Sequence, residues 1–378
     1  MIYLDHAATT KAYPEVIEAM KKAMEEDYFN PASKYKAARE VEKKIKACYK
    51  DLAKLFNVKP EELIQTSGSS ESTNTVFKGL YQRYHKRLNK IIISKADHDA
   101  SIETAKYLEE QGAEVVYLDV DRDGQIDKKQ LAQALDENTL LVSILLVNNE
   151  TGVIQDIDAL SKLIRSRAKN AYIHADLTQA WGKLELDLSE MDIDFASFSA
   201  HKIHGPKGTG LLYKKEGVYL DPLIHGGGQQ DNLRSGTENY PALLGMTIAA
   251  KKQAQDFSEN RLKVQELNDY LSPKLEALGA IINFKEAVPE ILSVSFPNYR
   301  AETLLNILEA HDIYLASSSA CNAKNADISH VLKASKMDRL QAQGTIRISL
   351  DPSNTKDELA KLVEVLDEAL ETLKAWEV

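Results

Sequence analysis

A lysine flanked by two histidines, in Ser199-Ala200-His201-Lys202-Ile203-His204-Gly205-Pro206-Lys207-Gly208, has the surroundings that first suggest chemistry. The segment follows one apolar run, Phe195 to Phe198, and precedes another, Leu211 to Tyr213, so both flanks read as buried strands. An amine at the end of a buried strand loses hydration, its charged form becomes costly, and it can serve as a Schiff-base nucleophile. On this segment alone, a surface lysine in a polar turn fits as well.

The chain has two cysteines, and their settings differ. Cys48 shares a helical stripe with Val41, Ile45, Leu52 and Leu55 and reads as core. Cys321 lies among the small residues of Ala316-Ser317-Ser318-Ser319-Ala320-Cys321-Asn322-Ala323, with no hydrophobic period, and reads as a thiol that can be carried to a substrate.

Further polar groups follow apolar strands. Leu63-Ile64-Gln65-Thr66 runs into Ser67-Gly68-Ser69-Ser70-Glu71-Ser72, after which Val76, Leu80 and Tyr84 restore a helical period. A Gly/Ser loop opening a helix offers free N–H groups and the positive end of the helix dipole, a site for phosphate; an ordinary serine-rich helix cap is the alternative. The loop lacks the Gly-Lys-Ser/Thr ending of a nucleotide-binding P-loop. His98, Asn149 and Asp176 also stand just past predicted strands.

Together these groups supply what pyridoxal 5'-phosphate needs. Lys202 can form the Schiff base, Asp176 can pair with the pyridine nitrogen, and Gln179 can bond the ring hydroxyl. Ser199, His201, Ser69 and Ser70 can hold the phosphate, and His98 can stack on the ring. No metal site is expected. His201 and His204 lack a third ligand, and Asp119-Val120-Asp121-Arg122-Asp123-Gly124 resembles a calcium loop but has Gln130 at its twelfth position.

The elements that must position these groups alternate. Strands at 91–94, 113–118, 140–147 and 172–175 are separated by helices ending at Gln111, spanning 129–135 and spanning 157–167. This pattern predicts an α/β fold with a mostly parallel sheet flanked by helices, and ligands then gather at the carboxyl ends of the strands. A smaller α+β unit follows a long helical stretch from Leu243 to Leu278, read as a connector. The expected division is a large cofactor-binding domain at 15–250 and a smaller domain formed by 1–14 and 251–378, which carries the Cys321 loop.

With 378 residues, 47 basic and 57 acidic, the chain has a net charge of -10 and no basic stripe, which argues against direct nucleic-acid binding. It has no apolar run long enough to cross a bilayer and no secretion signal at Met1-Ile2-Tyr3-Leu4, so a cytoplasmic protein without a membrane partner is expected.

Ordered matches along essentially the whole chain resemble the cysteine desulfurases, class V members of the fold-type I pyridoxal-phosphate transferases. They are Leu4-Asp5-His6-Ala7-Ala8-Thr9-Thr10, Thr66-Ser67-Gly68 with Glu71-Ser72, Asp97-His98, Asn148-Asn149-Glu150-Thr151-Gly152, and His174-Ala175-Asp176 with Gln179. The series continues with Ser199-Ala200-His201-Lys202, Gly205-Pro206-Lys207-Gly208, Gly226-Gly227-Gly228-Gln229, Arg234-Ser235-Gly236-Thr237, Ser319-Ala320-Cys321 and Ile346-Arg347-Ile348-Ser349-Leu350.

The resemblance implies conversion of L-cysteine to L-alanine, with sulfur held as a persulfide on Cys321. Lys202 would take the alpha proton and His98 would shuttle protons. It adds Arg347 as the clamp on the substrate carboxylate, Asn149 beside cofactor and substrate, and Thr237 reaching the cofactor phosphate of a neighbouring subunit in a homodimer. The expected partner is a sulfur-acceptor protein, either an iron-sulfur scaffold or an enzyme of tRNA or cofactor thiolation.

The sequence departs from that pattern at His6, where the family often has Asn, at Ser69-Ser70, at Gln230-Asp231-Asn232, and at Asp351, where Gly is frequent. A carboxylate at 351 is expected to weaken the grip of Arg347 on substrate if the two side chains point the same way. A selenocysteine lyase or a class V aminotransferase on the same scaffold is the alternative. The Ser199-x-x-Lys202 spacing of serine acyl-transferases lacks its companion motifs.

Overall fold

A computed structural model describes residues 1–317 and 328–374. In chain order the first part forms β1 (Ile2–Tyr3), α1 (Pro14–Glu26), α2 (Lys36–Phe56), β2 (Leu63–Thr66), α3 (Ser69–Tyr84), β3 (Lys90–Ser94), α4 (Asp99–Glu110), β4 (Glu114–Leu118), α5 (Lys128–Ala134) and β5 (Thr139–Leu145). There follow α6 (Ile157–Arg167), β6 (Tyr172–Asp176), β7 (Phe195–Ser199), β8 (Gly210–Lys214), α7 (Tyr240–Gln255) and α8 (Phe257–Ala277). The last part holds β9 (Ile281–Ile282), β10 (Ile291–Ser295), α9 (Ala301–Ala310), β11 (Ile313–Tyr314), β12 (Ala316–Ser317), α10 (His330–Ala334), α11 (Arg339–Gln343), β13 (Thr345–Ser349) and α12 (Lys356–Lys374).

The main sheet has seven strands in the order β2-β8-β7-β6-β5-β3-β4. Only β8 runs against the others: it pairs antiparallel with β2 and β7, while β7-β6, β6-β5, β5-β3 and β3-β4 are parallel. The carboxyl ends of β2, β3, β5, β6 and β7 therefore open on one edge. The interior strands carry apolar side chains on both faces because helices cover both. On one face Val16, Val41, Leu52, Ile164 and Met246 join Ile173 and Phe198 of the sheet. On the other, Val76, Phe77 and Leu80 of α3 and Ala105 and Leu108 of α4 pack on Ile91, Ile93 and Phe195.

The second sheet, β12-β13-β10-β9, has a core of its own. Leu267 and Leu271 of α8, Leu304 of α9 and Leu362 and Leu366 of α12 bury there against Val294, Ile346 and Ile348. Leu4, fully buried, belongs to this core because β1 pairs with β11. The chain then passes Ser349, bridged to Asp5, and reaches the main sheet at Thr10, whose N–H donates to the His201 carbonyl at 2.9 Å. The small residues from Ala7 to Thr10 are what allow that close approach.

The helical stretch expected from Leu243 to Leu278 is two helices, α7 and α8, broken at Asp256. Asp256 caps one by donating its N–H to Lys252 O, and its carbonyl accepts from Asn260 N in the next. Asp is a weak helix former, and the apolar period runs on in both helices while serving different cores. Gly210 has a packing role: a Cβ there would lie 2.3 Å from Phe198 O and 2.6 Å from Gly68 Cα. Its hydrogen lets the loop before α3 lie directly on β7 and β8.

Candidate active site

The five strand-end loops on the open edge carry Ser69, Ser70, His98, Asn149, Asp176, Gln179, His201 and Lys202. Lys202 ends a single 3-10 turn, Ala200–Lys202, directly after β7. Its Nζ donates to Ala7 O at 2.6 Å and Ala8 O at 2.7 Å, the only protein acceptors it uses among the described residues. Burial, with the cations of Arg347 and Lys183 nearby, pushes the ammonium down to about 7 against the opposite pull of Asp5 and Asp176. Near neutral pH a sizeable share of Lys202 is the free amine, the form that attacks an aldehyde or accepts a proton.

Asp176 is the last residue of β6 and is almost fully buried. Its Oδ1 accepts from Thr178 N at 2.9 Å, which leaves Oδ2 for a further donor. His174, two residues earlier on the same strand face, is fully buried with its nitrogens 2.8 Å from Ser143 Oγ and 2.7 Å from Ser197 Oγ, and burial pushes it down to about 4. It is a neutral hydrogen-bonding spacer beneath Asp176. Gln179 is buried and donates from Nε2 to Ala7 O at 2.8 Å, the carbonyl that also holds Lys202.

The loop before α3 and the end of β7 meet. Ser199 Oγ accepts from Ser69 N at 2.8 Å and donates to Ser69 Oγ at 3.2 Å. Ser70 is exposed in the first turn of α3, where N–H groups lack a carbonyl four residues back. His201 turns its Nδ1 toward Thr9 Oγ1 at 3.1 Å, and burial with the neighbouring lysines pushes it down to about 4. No described hydrogen bond joins it to the Ser69-Ser199 pair. His98 caps α4, its Nδ1 accepting from Ala100 N at 3.1 Å, so the proton of the neutral ring is on Nε2. Beside it, burial pushes the Asp97 carboxyl up to about 8.

Arg347 stands on β13 and is buried. Its Nη1 donates to Asn149 O at 2.9 Å, which brings Asn149 and Arg347 together, and its Nη2 donates to Asp5 Oδ1 at 2.7 Å. The competitor expected at 351 is not there: Asp351 points to His204, with Oδ2 2.8 Å from Nε2, while His204 Nδ1 faces Lys11 O at 2.8 Å. The His204 pairing holds the Asp351 carboxyl far below the usual carboxylate range despite its burial. The carboxylate that does meet Arg347 is Asp5.

Thr237 is exposed. The Gly-rich segment before it is tied down at two points. Arg234 Nε bonds Glu71 Oε1 at 2.9 Å, and the Gln230 carboxamide takes Gln65 N at 2.6 Å and gives to Gln65 O at 3.0 Å, as a neighbouring strand would. Cys321 lies outside the described residues. The chain on its far side is anchored by Ser329 Oγ, which donates to Glu150 Oε2 at 2.6 Å; burial pushes that carboxyl up to about 7. Cys48 is buried, and burial pushes its thiol up.

The family model for class-V aminotransferases matches residues 2–362. The chain belongs to that family. Within it, the similarity is to cysteine desulfurases: the protein named cysteine desulfurase IscS of Dictyoglomus turgidum is 36% identical over 377 residues, 99% of this chain and 95% of that one. Among solved structures, a NifS-like protein superposes with a TM-score of 0.94 at 38% identity, covering 98% of this chain and 99% of its own. A structure described as SspA in complex with cysteine gives a TM-score of 0.83 at 30% identity, covering 94% and 100%.

Class-V aminotransferases work with pyridoxal phosphate, and the donor set of this chain fits it. A half-buried lysine of depressed pKa, a buried aspartate with one oxygen uncommitted, and a helix start held by paired serines lie on one sheet edge. Sequence reasoning missed Asp5 and the Ala7 carbonyl as parts of this class-V site, although both stand in the quoted Leu4–Thr10 stretch.

Proposed function

We propose that the protein is a cysteine desulfurase that converts L-cysteine to L-alanine and carries the sulfur as a persulfide on Cys321. The observation that carries this reading is Lys202, an amine of depressed pKa held by two carbonyls where the strand-end loops converge. Bound pyridoxal phosphate supplies an aldehyde for the substrate amine and a ring that accepts the electron pair left at the substrate Cα. The residues that would hold it are Asp176 at the ring nitrogen, Gln179 at the ring oxygen, His98 on the ring face, and Ser69, Ser70, Ser199 and His201 at the phosphate. Thr237 would do the same for a second copy in a homodimer.

Lys202, in its free-amine form, takes the proton from Cα. Arg347 orients the substrate through its carboxylate, a charge-assisted pairing in a buried setting, with Asn149 alongside. The Cys321 thiolate attacks the substrate sulfur; the S–S bond forms as the substrate C–S bond breaks, and its electron pair passes to Cβ. Cβ then gains a proton, for which His98 Nε2 is the shuttle, Lys202 returns its proton to Cα, and the products are alanine and one protein persulfide. The persulfide passes to an acceptor protein serving iron-sulfur cluster assembly or thiolation of tRNA or a cofactor. Among the described residues no helix is long and apolar enough to cross a membrane, and we place the reaction in the cytoplasm. The division at 15–250 against 1–14 with 251–378 is proposed with it.

Borohydride reduction of the purified yellow protein followed by peptide mapping tests the reading. The expected result is one modified lysine, Lys202, and loss of the visible band in Lys202→Ala. A colourless protein that binds no added pyridoxal phosphate contradicts it.

A further inference from the structure

Lys183 lies one turn beyond Gln179, and the two share a hydrogen bond: Nζ donates to Gln179 Oε1 at 3.2 Å. That is the ammonium's only hydrogen bond among the described residues. The other end of the same carboxamide donates to Ala7 O at 2.8 Å. An ammonium can only donate and a carbonyl can only accept, so these two neighbours leave the amide of Gln179 one orientation. Turned over, it would set oxygen against the Ala7 carbonyl and NH2 against the ammonium. In the observed orientation the side of Gln179 away from Lys183 offers only N–H.

Lys183 is costly to keep where it is. It lines a narrow cleft shared with Lys202, His6, His204, Glu290 and Asp351. Its backbone is fixed from α8 by Arg261, which donates to Lys183 O at 2.7 Å. Burial pushes its pKa down, against the pull of Glu290, just before β10, and Asp351, after β13. Among the described residues the cation paired with the Glu290 carboxylate is Arg261, Nη1 to Oε2 at 3.8 Å, while the hydrogen bond of Lys183 goes to Gln179, so the lysine is not there to complete an ion pair.

We propose that Lys183 is a positioning residue of the reaction: its hydrogen bond to Gln179 Oε1 fixes the carboxamide so that only an N–H can meet the ring oxygen of the cofactor. The inference rests on the pyridoxal-phosphate reading. A fixed donor at the ring oxygen favours its ionised form and so lowers the pH at which the bound cofactor's visible absorbance titrates.

The test is that titration in the holoenzyme, with steady-state kinetics on L-cysteine beside it. Lys183→Met is expected to keep cofactor content and melting temperature, to move the midpoint up by about one pH unit, and to lower kcat about tenfold with KM changed less than about twofold. Lys183→Arg, which still donates, is expected to titrate within a few tenths of a unit of the parent, on the order of the error in such shifts. Gln179→Leu should reproduce the shift, and Lys183→Met should add nothing to it in the double variant. A Lys183→Met midpoint equal to the parent's, or shifts that add in the double variant, overturns the inference while leaving the cofactor reading intact. A parent protein with no titrating visible band overturns the reading itself.

Discussion

Asp5 Oδ1 accepts a hydrogen bond from Arg347 Nη2 at 2.7 Å, so a carboxylate of the chain already meets the guanidinium proposed for the substrate carboxylate. Nη1 is held by the Asn149 carbonyl, and Nε, buried, makes no hydrogen bond among the described residues. The fork is thus oriented before substrate arrives. An ammonium cannot make two parallel bonds from fixed positions. Arg347→Lys is therefore expected to raise KM for L-cysteine by about 10- to 100-fold, the worth of a lost charged hydrogen bond at roughly 1.5–3 kcal/mol. The visible spectrum should stay that of the parent. Steady-state kinetics with a spectrum of the same sample checks both.

The departure at 351 is structural. Asp351 and His204 meet at 2.8 Å with side chains about one-tenth exposed, and they join the end of β13 to the turn after Lys202. Removing one partner of a buried pair costs about 3–5 kcal/mol, so Asp351→Asn is expected to lower unfolding stability by roughly that amount near pH 7. The sign of the pH dependence follows from the depressed carboxyl. Its stabilisation is present above the unfolded value, about 3.9, and is lost as pH falls toward the folded one. Urea unfolding of parent and variant across the acid range should show the parent losing stability below about pH 4 more steeply than the variant.

The two cysteines should separate cleanly by reactivity. Cys48 is buried with its thiol pushed up, so it carries little thiolate at neutral pH. Cys321→Ser is expected to leave the native protein nearly inert to a thiol reagent at pH 7, whereas the parent takes up one equivalent quickly. Rapid labelling of the variant would assign the reactive thiol to Cys48 instead.

Much of this was legible where a single segment holds its own signal. The helices Ile157–Arg167 and Ala301–Ala310 begin and end where the apolar period does. Lys202, Asp176 and the Ser69 loop could be placed because each follows a buried strand, and parallel strands bring their ends to one edge. The short strands β1, β9, β11 and β12 have two residues each, too few to show a period. Long-range pairings also left no local trace. Arg347 and Asp5 are 342 positions apart and His204 and Asp351 147, so which carboxylate would meet which cation was decided by the fold.

The most direct test of desulfurase chemistry is a single turnover. Mixing the holoenzyme with one equivalent of L-cysteine, without reductant or acceptor, and then quantifying alanine and mapping peptides by mass should give about one alanine per active site, as the one-for-one sulfur transfer requires. The same amount of added sulfur should appear on the Cys321 peptide alone. Pyruvate or a transaminated acceptor as the main product, or added sulfur absent from Cys321 while alanine accumulates, would contradict the account.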